Sequence, residues 1–290
     1  MRSLALLLLL ALPAFAQRPE EDAKGGAFAD RLKDEIRARK MYDHAARATI
    51  PPRFREALDK YQPGDHDLAV SWGEFTTGAG TPFVAVQLAV PAGVTAERLT
   101  FFGILGDDTY FQELPVQESR GELLIERSML FRSRAAQGTF GLARKNEILG
   151  LARVQVEPPA DVSRLILAAD VHLLPAAQDP LDPFAFGGTK VVPKPRGAFR
   201  RSDEVWIFLD VHSDTPPELS ARVDVEGAKS VRGAPTSALA TPLKGVPGHY
   251  GVGNTIDVTS LPPGDYRVRV TLTDAAKKSV VREAALRISE

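Results

Sequence analysis

Apolar and polar residues alternate along most of this chain with a period of two, which is typical of half-buried β-strands. Residues 219–225 and 266–272 are the clearest examples, whereas residues 83–90 form a continuous apolar run that suits a central strand. Turn-forming residues separate such segments about every ten residues, as in β-sandwiches. The predicted strands cover residues 68–72, 83–90, 99–105, 121–128, 150–156, 165–174, 204–211, 219–225, 250–258, 266–272 and 279–288.

The pattern predicts a mostly-β fold of two tandem antiparallel β-sandwiches, the second immunoglobulin-like, with a short N-terminal helical lead-in. The first sandwich is assigned to residues 63–178 and the second to residues 198–290. Residues 179–197, rich in Pro and Gly, are predicted to be an extended connector. Strands do not alternate with helices, so a parallel α/β sheet is disfavoured.

The N-terminus follows a different pattern. A short leucine-rich run follows Arg2 and ends before Ala14-Phe15-Ala16, which predicts a cleaved signal peptide over residues 1–16. The run is shorter than the roughly 20 residues that span a bilayer. Residues 17–62 are predicted to be a flexible and helical lead-in, with helices near 27–47 and 53–61. We expect the lead-in to cover a sheet edge and to be dispensable for folding; a helix packed on the first sandwich or a free docking segment are the alternatives.

Composition excludes several classes of function. The formal net charge of −1 argues against nucleic-acid binding, and no later segment is apolar enough to predict a membrane span. Cysteine is absent, which removes disulfides, thiol catalysis and Cys-ligated metals. We therefore expect an exported protein of the periplasm, or a secreted one, whose fold depends on its apolar core.

An ordered set of short motifs resembles a known tail architecture. Residues 165–168 are followed by Asp182-Pro183-Phe184, by the strand at 205–211 and by Leu261-Pro262-Pro263-Gly264-Asp265-Tyr266. This order resembles the tandem β-sandwich tail of bacterial envelope proteins that carry von Willebrand A-type or GWxTD-type modules. The resemblance covers residues from about 68 to 290 and implies two sandwiches in an envelope protein.

The head modules of those proteins are missing from this sequence. The nearest string to the A-type metal motif is Asp161-Val162-Ser163-Arg164-Leu165, which fails at its last position, and a GWxTD string is absent. The resemblance therefore transfers no activity.

One tripeptide, Asp-Val-His, occurs at both Asp170–His172 and Asp210–His212. Residues i and i+2 of a strand share a face, so each pair presents a carboxylate and an imidazole together. Two converging pairs would suit a divalent metal such as Zn²⁺. Nothing in the sequence shows that they converge, so polar strand ends are the favoured interpretation and no metal site is assigned.

Other candidate chemistry is weaker. No Gly-x-Ser-x-Gly string or phosphate-binding glycine loop is present. His44, His66 and His249 are interpreted as surface histidines, and Glu113, Glu118 and Glu122 as solvated acids. No catalytic, cofactor-binding or metal-binding residue is therefore predicted, and the protein is not expected to be an enzyme.

Aromatic residues favour a binding function over catalysis. The first sandwich carries Trp72, Phe101, Phe102, Tyr110 and Phe111, and the second carries Trp206, Tyr250 and Tyr266. Neighbouring aromatics in one strand point to opposite faces, so one ring of each adjacent pair lies outward or against a neighbouring element. The sequence predicts a non-catalytic module that binds envelope proteins or braces an assembly. The alternative is a carbohydrate-binding protein that stacks polysaccharide on the exposed aromatics of the first sandwich.

Overall fold

The computed structural model describes residues 51–62, 67–77, 80–92, 94, 98–115, 123–131, 134–145, 147–174, 181–243 and 246–290, together with residue 36. Apart from residue 36, the predicted signal peptide and the first predicted helix lie outside the described residues. In the part of the chain that is described, no helix is long and apolar enough to cross a membrane.

The described elements begin with the helix α1 (Pro52–Lys60) and continue almost entirely as strands. The strands of the first half are β1 (Val70–Thr76), β2 (Pro82–Ala89), β3 (Arg98–Leu105), β4 (Asp108–Pro115), β5 (Leu124–Leu130), β6 (Ala136–Arg144) and β7 (Glu147–Val156). Those that follow are β8 (Ile166–Leu173), β9 (Ala185–Phe186), β10 (Thr189–Pro193), β11 (Ala198–Arg200), β12 (Val205–His212), β13 (Leu219–Gly227), β14 (Val231–Arg232), β15 (Thr236–Ala238), β16 (Ala240–Pro242), β17 (His249–Ile256), β18 (Gly264–Asp274) and β19 (Ser279–Ser289).

These strands form four sheets. Sheet I has the order β4-β3-β6-β7 and sheet II the order β1-β2-β5. Sheet III has the order β16-β17-β12-β8-β10-β9, and sheet IV the order β11-β19-β18-β13-β14, with β15 also paired to β13. Pairing is antiparallel except between β11 and β19. The mostly-β, β-sandwich fold predicted from the sequence is confirmed.

Two apolar cores lie inside the two sandwiches. Sheets I and II enclose a first core that includes Val84, Val86, Phe101 and Phe140. Sheets III and IV enclose a second core that includes Leu167, Leu209, Val268 and Val270. The alternate residues of these strands point out of the sandwiches. On sheets I, II and III many of these outward residues are apolar and are covered by other elements, whereas the outer face of sheet IV carries charged residues.

A third core joins the sandwiches through the outer faces of sheets II and III. Strand β2 turns Phe83 and Ala85 away from the first core, and sheet III presents Ile166, Ala168 and Phe208 towards them. We call this cluster the inter-sandwich core; its buried members are Phe75, Phe83, Ala85, Ile166, Ala168, Leu181, Phe184, Phe186, Val191, Phe208 and Leu243. The continuous apolar run of β2 is explained because both of its faces are buried.

Helix α1 covers the outer face of sheet I. Pro51 precedes the helix and Pro52 begins it, a position where proline costs no hydrogen bond. The Phe54 ring is fully buried and contacts Phe102 and Phe111 edge-on, with ring centroids 5.0 and 5.1 Å away. The predicted helix is therefore present, but it covers a sheet face and not a sheet edge.

The strand β8 differs from its predicted place at the end of the first sandwich. It pairs with β12 through Ala168 opposite Trp206, and with β10 on its other side, so it is a central strand of sheet III. The predicted connector is also part of this sheet, because β9 and β10 form a hairpin that extends it. Hydrogen-bond partners of a strand lie far apart in sequence, and periodicity alone does not select them.

Candidate functional site

The most unusual polar cluster lies at the rim of the inter-sandwich core. Asp210 of β12 and His249 of β17 are 6% exposed each, and Asp210 Oδ2 lies 2.9 Å from His249 Nδ1. The other ring nitrogen, Nε2, lies 3.2 Å from the Thr76 hydroxyl of β1. We call Thr76, His249 and Asp210 the triad.

The register of two neighbouring strands places the triad's acid beside its imidazole. Asp210 stands opposite Gly251, and His249 is two residues from that position, so both side chains share one face of sheet III. That face is the one that Phe208 directs into the inter-sandwich core. Thr76 is the last residue of β1, an edge strand of sheet II, and its hydroxyl contacts the imidazole from that edge.

The triad is tightly enclosed by protein groups. The Asp210 amide donates to Ser163 Oγ at 2.9 Å, and the Ser163 amide donates to the Asp210 carbonyl at 2.8 Å. The His212 ring lies 5.0 Å from the His249 ring and is exposed. Asp210 Oδ1 is buried and has no hydrogen-bond partner among the described residues, so the contact of Oδ2 with His249 is the side-chain contact that fixes this carboxyl group.

The order hydroxyl, imidazole, carboxylate is the order of a nucleophilic relay, in which the carboxylate orients the imidazole and the imidazole accepts the hydroxyl proton. Here the imidazole and the carboxylate are almost completely buried, and Thr76 is half-buried within a strand. Each ring nitrogen of His249 already faces a protein oxygen. This enclosure suits a structural contact between the sandwiches.

The two Asp-Val-His tripeptides do not converge. Asp210 and Asp170 lie towards opposite ends of the β8–β12 pair, whose register runs from Phe208–Ile166 to Trp206–Ala168. Asp170 and His172 contact each other at 2.8 Å on the surface, with side chains 58% and 46% exposed. Among the described residues, no group of three or more His, Asp or Glu side chains is placed to hold a metal ion.

The interpretation of His249 as a surface histidine is wrong. The sequence places it in a turn, Pro247-Gly248-His249-Tyr250, but the structure begins β17 there and buries the ring. His44 and His66 lie outside the described residues, as do Glu118 and Glu122. Glu113 is exposed and pairs with Arg98 at 3.2 Å. No sequence pattern links His249 to Asp210, since the two are brought together only by strand pairing.

A second polar cluster fixes residues 157–165, the segment that connects β7 of the first sandwich to β8 of the second. Glu74 of β1 is 6% exposed and accepts hydrogen bonds from the Arg164 guanidinium at 3.0 and 3.2 Å and from the Glu157 amide at 3.2 Å. The Arg164 guanidinium also lies 4.7 Å from the centre of the Trp72 ring. Arg282 of β19 donates to the carbonyls of Val162 and Ser163, and burial lowers its pKa from the ordinary value. The segment is thus held from both sandwiches.

The aromatic residues of the first sandwich lie mostly in its cores. Phe101 and Phe102 are fully buried and Tyr110 is 4% exposed, while Phe111 and Trp72 are half-buried. Burial also raises the pKa of the Tyr110 hydroxyl. As expected for neighbours on a strand, Phe101 points into the first core and Phe102 points out, where Phe54 of α1 covers it.

A shallow surface depression of about 520 Å³ lies on the outer face of sheet IV, between Glu226, Asp265, Arg267 and Glu283. The charges around it are paired with one another: Arg269 contacts both Glu226 and Glu283 at 2.7 Å, and Arg287 contacts Asp265 at 2.6 Å. The face therefore carries alternating charges that compensate each other, and no unbalanced charge on it selects a ligand.

No protein family profile matches the chain, and no curated protein matches it. Among solved structures it is similar to the transglutaminase of red sea bream, with 12% identity and a TM-score of 0.24 over 82% of this chain and 33% of that one. It is also similar to the C-terminal domain of the AgI/II polypeptide BspA of Streptococcus agalactiae, with 8% identity and a TM-score of 0.21 over 71% of this chain and 92% of that one. The chain thus spans about a third of the transglutaminase's length, and neither likeness bears on activity.

Proposed function

We propose that this protein is an exported, non-catalytic module of the bacterial cell envelope that binds other envelope proteins or braces an assembly. The main support for this proposal is the inter-sandwich core. Five phenylalanines meet there, and the Phe186 ring lies 4.7 Å from Phe75 of sheet II and 4.9 Å from Phe208 of sheet III. A buried aromatic contact of this kind holds two sandwiches in one orientation, which a bracing protein requires.

Polar contacts at both edges of sheet II support the same proposal. Thr76 of β1 contacts His249, and Glu126 of β5 contacts Lys190 of β10 at 2.6 Å. Since β1 and β5 are the two edge strands of sheet II, the sheet is attached to sheet III on both sides of β2. Surfaces on the two sandwiches therefore keep a fixed spacing, so one partner can contact both.

The carbohydrate-binding alternative receives less support. Stacking on a sugar needs exposed rings, and the aromatics on which that hypothesis depends lie in the cores or, for Trp72, beneath the Arg164 guanidinium. The export and the envelope location rest on the signal-peptide pattern and on the resemblance to envelope-protein tails.

The proposal is tested by capture from an envelope extract with immobilised residues 17–290, followed by mass spectrometry. We expect one or two stoichiometric protein partners, and weaker capture by a Phe186→Ala variant that loosens the inter-sandwich core. A matched control, Val281→Ala, removes an exposed apolar side chain from sheet IV and should capture normally. Retention on peptidoglycan or polysaccharide without any protein partner would favour the carbohydrate-binding alternative.

The non-catalytic part of the proposal has its own test. A fluorophosphonate probe reacts with hydroxyl nucleophiles that a histidine activates, and it should leave Thr76 unmodified because the triad is enclosed. Intact-mass analysis with a Thr76→Val control measures this directly. Stoichiometric labelling that disappears in the Thr76→Val variant would show that the triad is reactive.

A further inference from the structure

The two copies of Asp-Val-His lie in one sheet but have different surroundings. In each copy the aspartate contacts an imidazole, at 2.8 Å for Asp170 and 2.9 Å for Asp210. Asp170 contacts the histidine of its own tripeptide on the surface, whereas Asp210 contacts His249 of the neighbouring strand in a buried site. Only the buried pair continues to a residue of the other sandwich, Thr76.

The position of the triad connects it to the inter-sandwich core on both sides. Phe75, which precedes Thr76, packs in that core. The His249 carbonyl accepts a hydrogen bond at 2.9 Å from the amide of Leu243, which packs in the core as well. Separation of the two sandwiches at β1 therefore requires the Thr76–His249 contact to break.

Burial of the triad determines how much the Thr76–His249 contact stabilises the closed interface. A hydrogen bond between buried groups contributes about five-fold to an equilibrium, and a polar group that loses its partner without reaching water costs more. His249 exchanges its contacts for water only if the interface opens, since the ring is 6% exposed.

We propose that the triad is a latch between the sandwiches: Asp210 orients His249, His249 holds Thr76, and loss of the Thr76 contact increases the fraction of molecules in which the interface opens at β1 while each sandwich stays folded. The latch concerns the interface itself and does not depend on which partner the protein binds. It adds a polar contact at the edge of sheet II to the apolar core that holds the sandwiches in one orientation.

The absence of cysteine from the sequence permits a clean measurement of interface opening. A single cysteine at Ala168, a fully buried member of the inter-sandwich core, reports opening through its rate of reaction with a disulfide reagent such as DTNB. A single cysteine at Ala152, 6% exposed in the first core, reports opening of the first sandwich. The full-length protein is used throughout.

Thr76→Val removes the hydroxyl and keeps the shape of the side chain. We expect it to raise the labelling rate of Ala168→Cys about five-fold and to leave that of Ala152→Cys unchanged. Thr139→Val, a half-buried threonine of β6 away from the interface, should change neither rate. An equal rise at both cysteines, or no rise at Ala168→Cys, would overturn the latch.

The repeated tripeptide supplies a second matched pair of variants. Asp210→Asn removes the charge that orients His249 and should raise the labelling rate of Ala168→Cys at least as much as Thr76→Val. Asp170→Asn makes the same change in the exposed copy and should have no effect. Equal effects of the two variants would show that the buried triad has no special role.

Discussion

Glu74 shows how a single buried charge fixes the segment between the sandwiches. Its carboxylate accepts two hydrogen bonds from Arg164 and one from the Glu157 amide, and it is 6% exposed. A buried carboxylate is tolerated only when such donors compensate its desolvation. The sequence contains no motif that marks this residue, because its partners lie in a distant segment.

We predict that Glu74→Gln lowers the free energy of unfolding by about 2 kcal/mol. The Gln amide keeps the size of the side chain, but it has only one oxygen and so cannot accept both hydrogen bonds from the Arg164 guanidinium in the same geometry. Urea denaturation followed by circular dichroism measures the change. Glu113→Gln, in the exposed pair with Arg98, is the control and should change stability by less than about 0.5 kcal/mol. Equal effects would contradict the role assigned to burial.

Asp203 is a second residue whose charge depends on its immediate neighbours. A hydrogen bond from Lys194 Nζ at 2.6 Å, and then one from the Arg200 amide, hold the pKa of the Asp203 carboxyl below its ordinary value. A lowered pKa in the folded state means that the carboxylate stabilises the fold above the unfolded pKa, and that this contribution is lost as pH falls through the folded pKa.

We therefore expect Asp203→Asn to lower the free energy of unfolding at pH 7 by about 1 kcal/mol and to have a smaller effect near pH 3. Urea titrations of both proteins across this range measure the difference. An effect that stays constant with pH would show that the carboxylate charge is not responsible.

Helix α1 shows how a short element depends on the surface against which it packs. The apolar face of a short amphipathic helix needs a partner surface, and Phe54 finds it on sheet I between Phe102 and Phe111. The sequence predicts that the lead-in is dispensable for folding. Because Phe54 is fully buried, we now expect removal of the lead-in to destabilise the first sandwich. Without the helix, the outer face of sheet I would expose Phe102, which is otherwise fully buried.

We predict that Phe54→Ala destabilises the protein by about 3 kcal/mol and detaches α1 from sheet I. Hydrogen exchange should increase across α1 and over β3, while sheet IV stays protected. Arg55→Ala, one residue along on the exposed side of the helix, should leave exchange unchanged. Normal protection of α1 in Phe54→Ala would contradict the packing role of this ring.

In the molecule as a whole, buried apolar clusters lie between α1 and sheet I and between each of the neighbouring sheets that follow. The inter-sandwich core lies between the outer faces of sheets II and III, so opening it exposes apolar side chains of both sandwiches. A large apolar interface between two sandwiches couples their unfolding, because separation would expose that surface to water. The protein should therefore behave as one cooperative body.

The two tryptophans test this cooperativity. Trp72 reports the first sandwich and Trp206 the second, and single-tryptophan variants, Trp206→Phe and Trp72→Phe, isolate each signal. We expect their denaturant transitions to coincide. Phe186→Ala should separate them, because it removes the ring that stacks on Phe208 and contacts Phe75 edge-on. Separate transitions without any substitution would contradict a shared body.

The class of fold and most of the local structure follow from short-range patterns in the sequence. Alternation placed strands such as β13 and β18, the unbroken apolar run placed β2 at the centre of a sheet, and the predicted helix at 53–61 corresponds to α1. These signals are local, since they depend on side-chain period and on backbone preferences. Strands β4 and β6 are absent from the predicted set, because their polar and glycine-rich stretches weaken the alternation.

The sheet that β8 joins and the burial of His249 depend instead on contacts between distant parts of the chain. Both faces of β8 are apolar at its start, so the pattern fits either sandwich, and pairing with β12 settles the assignment. The two Asp-Val-His tripeptides have the same local sequence, yet one is exposed and the other forms the buried triad. The difference arises from neighbours far apart along the chain, which local periodicity does not encode.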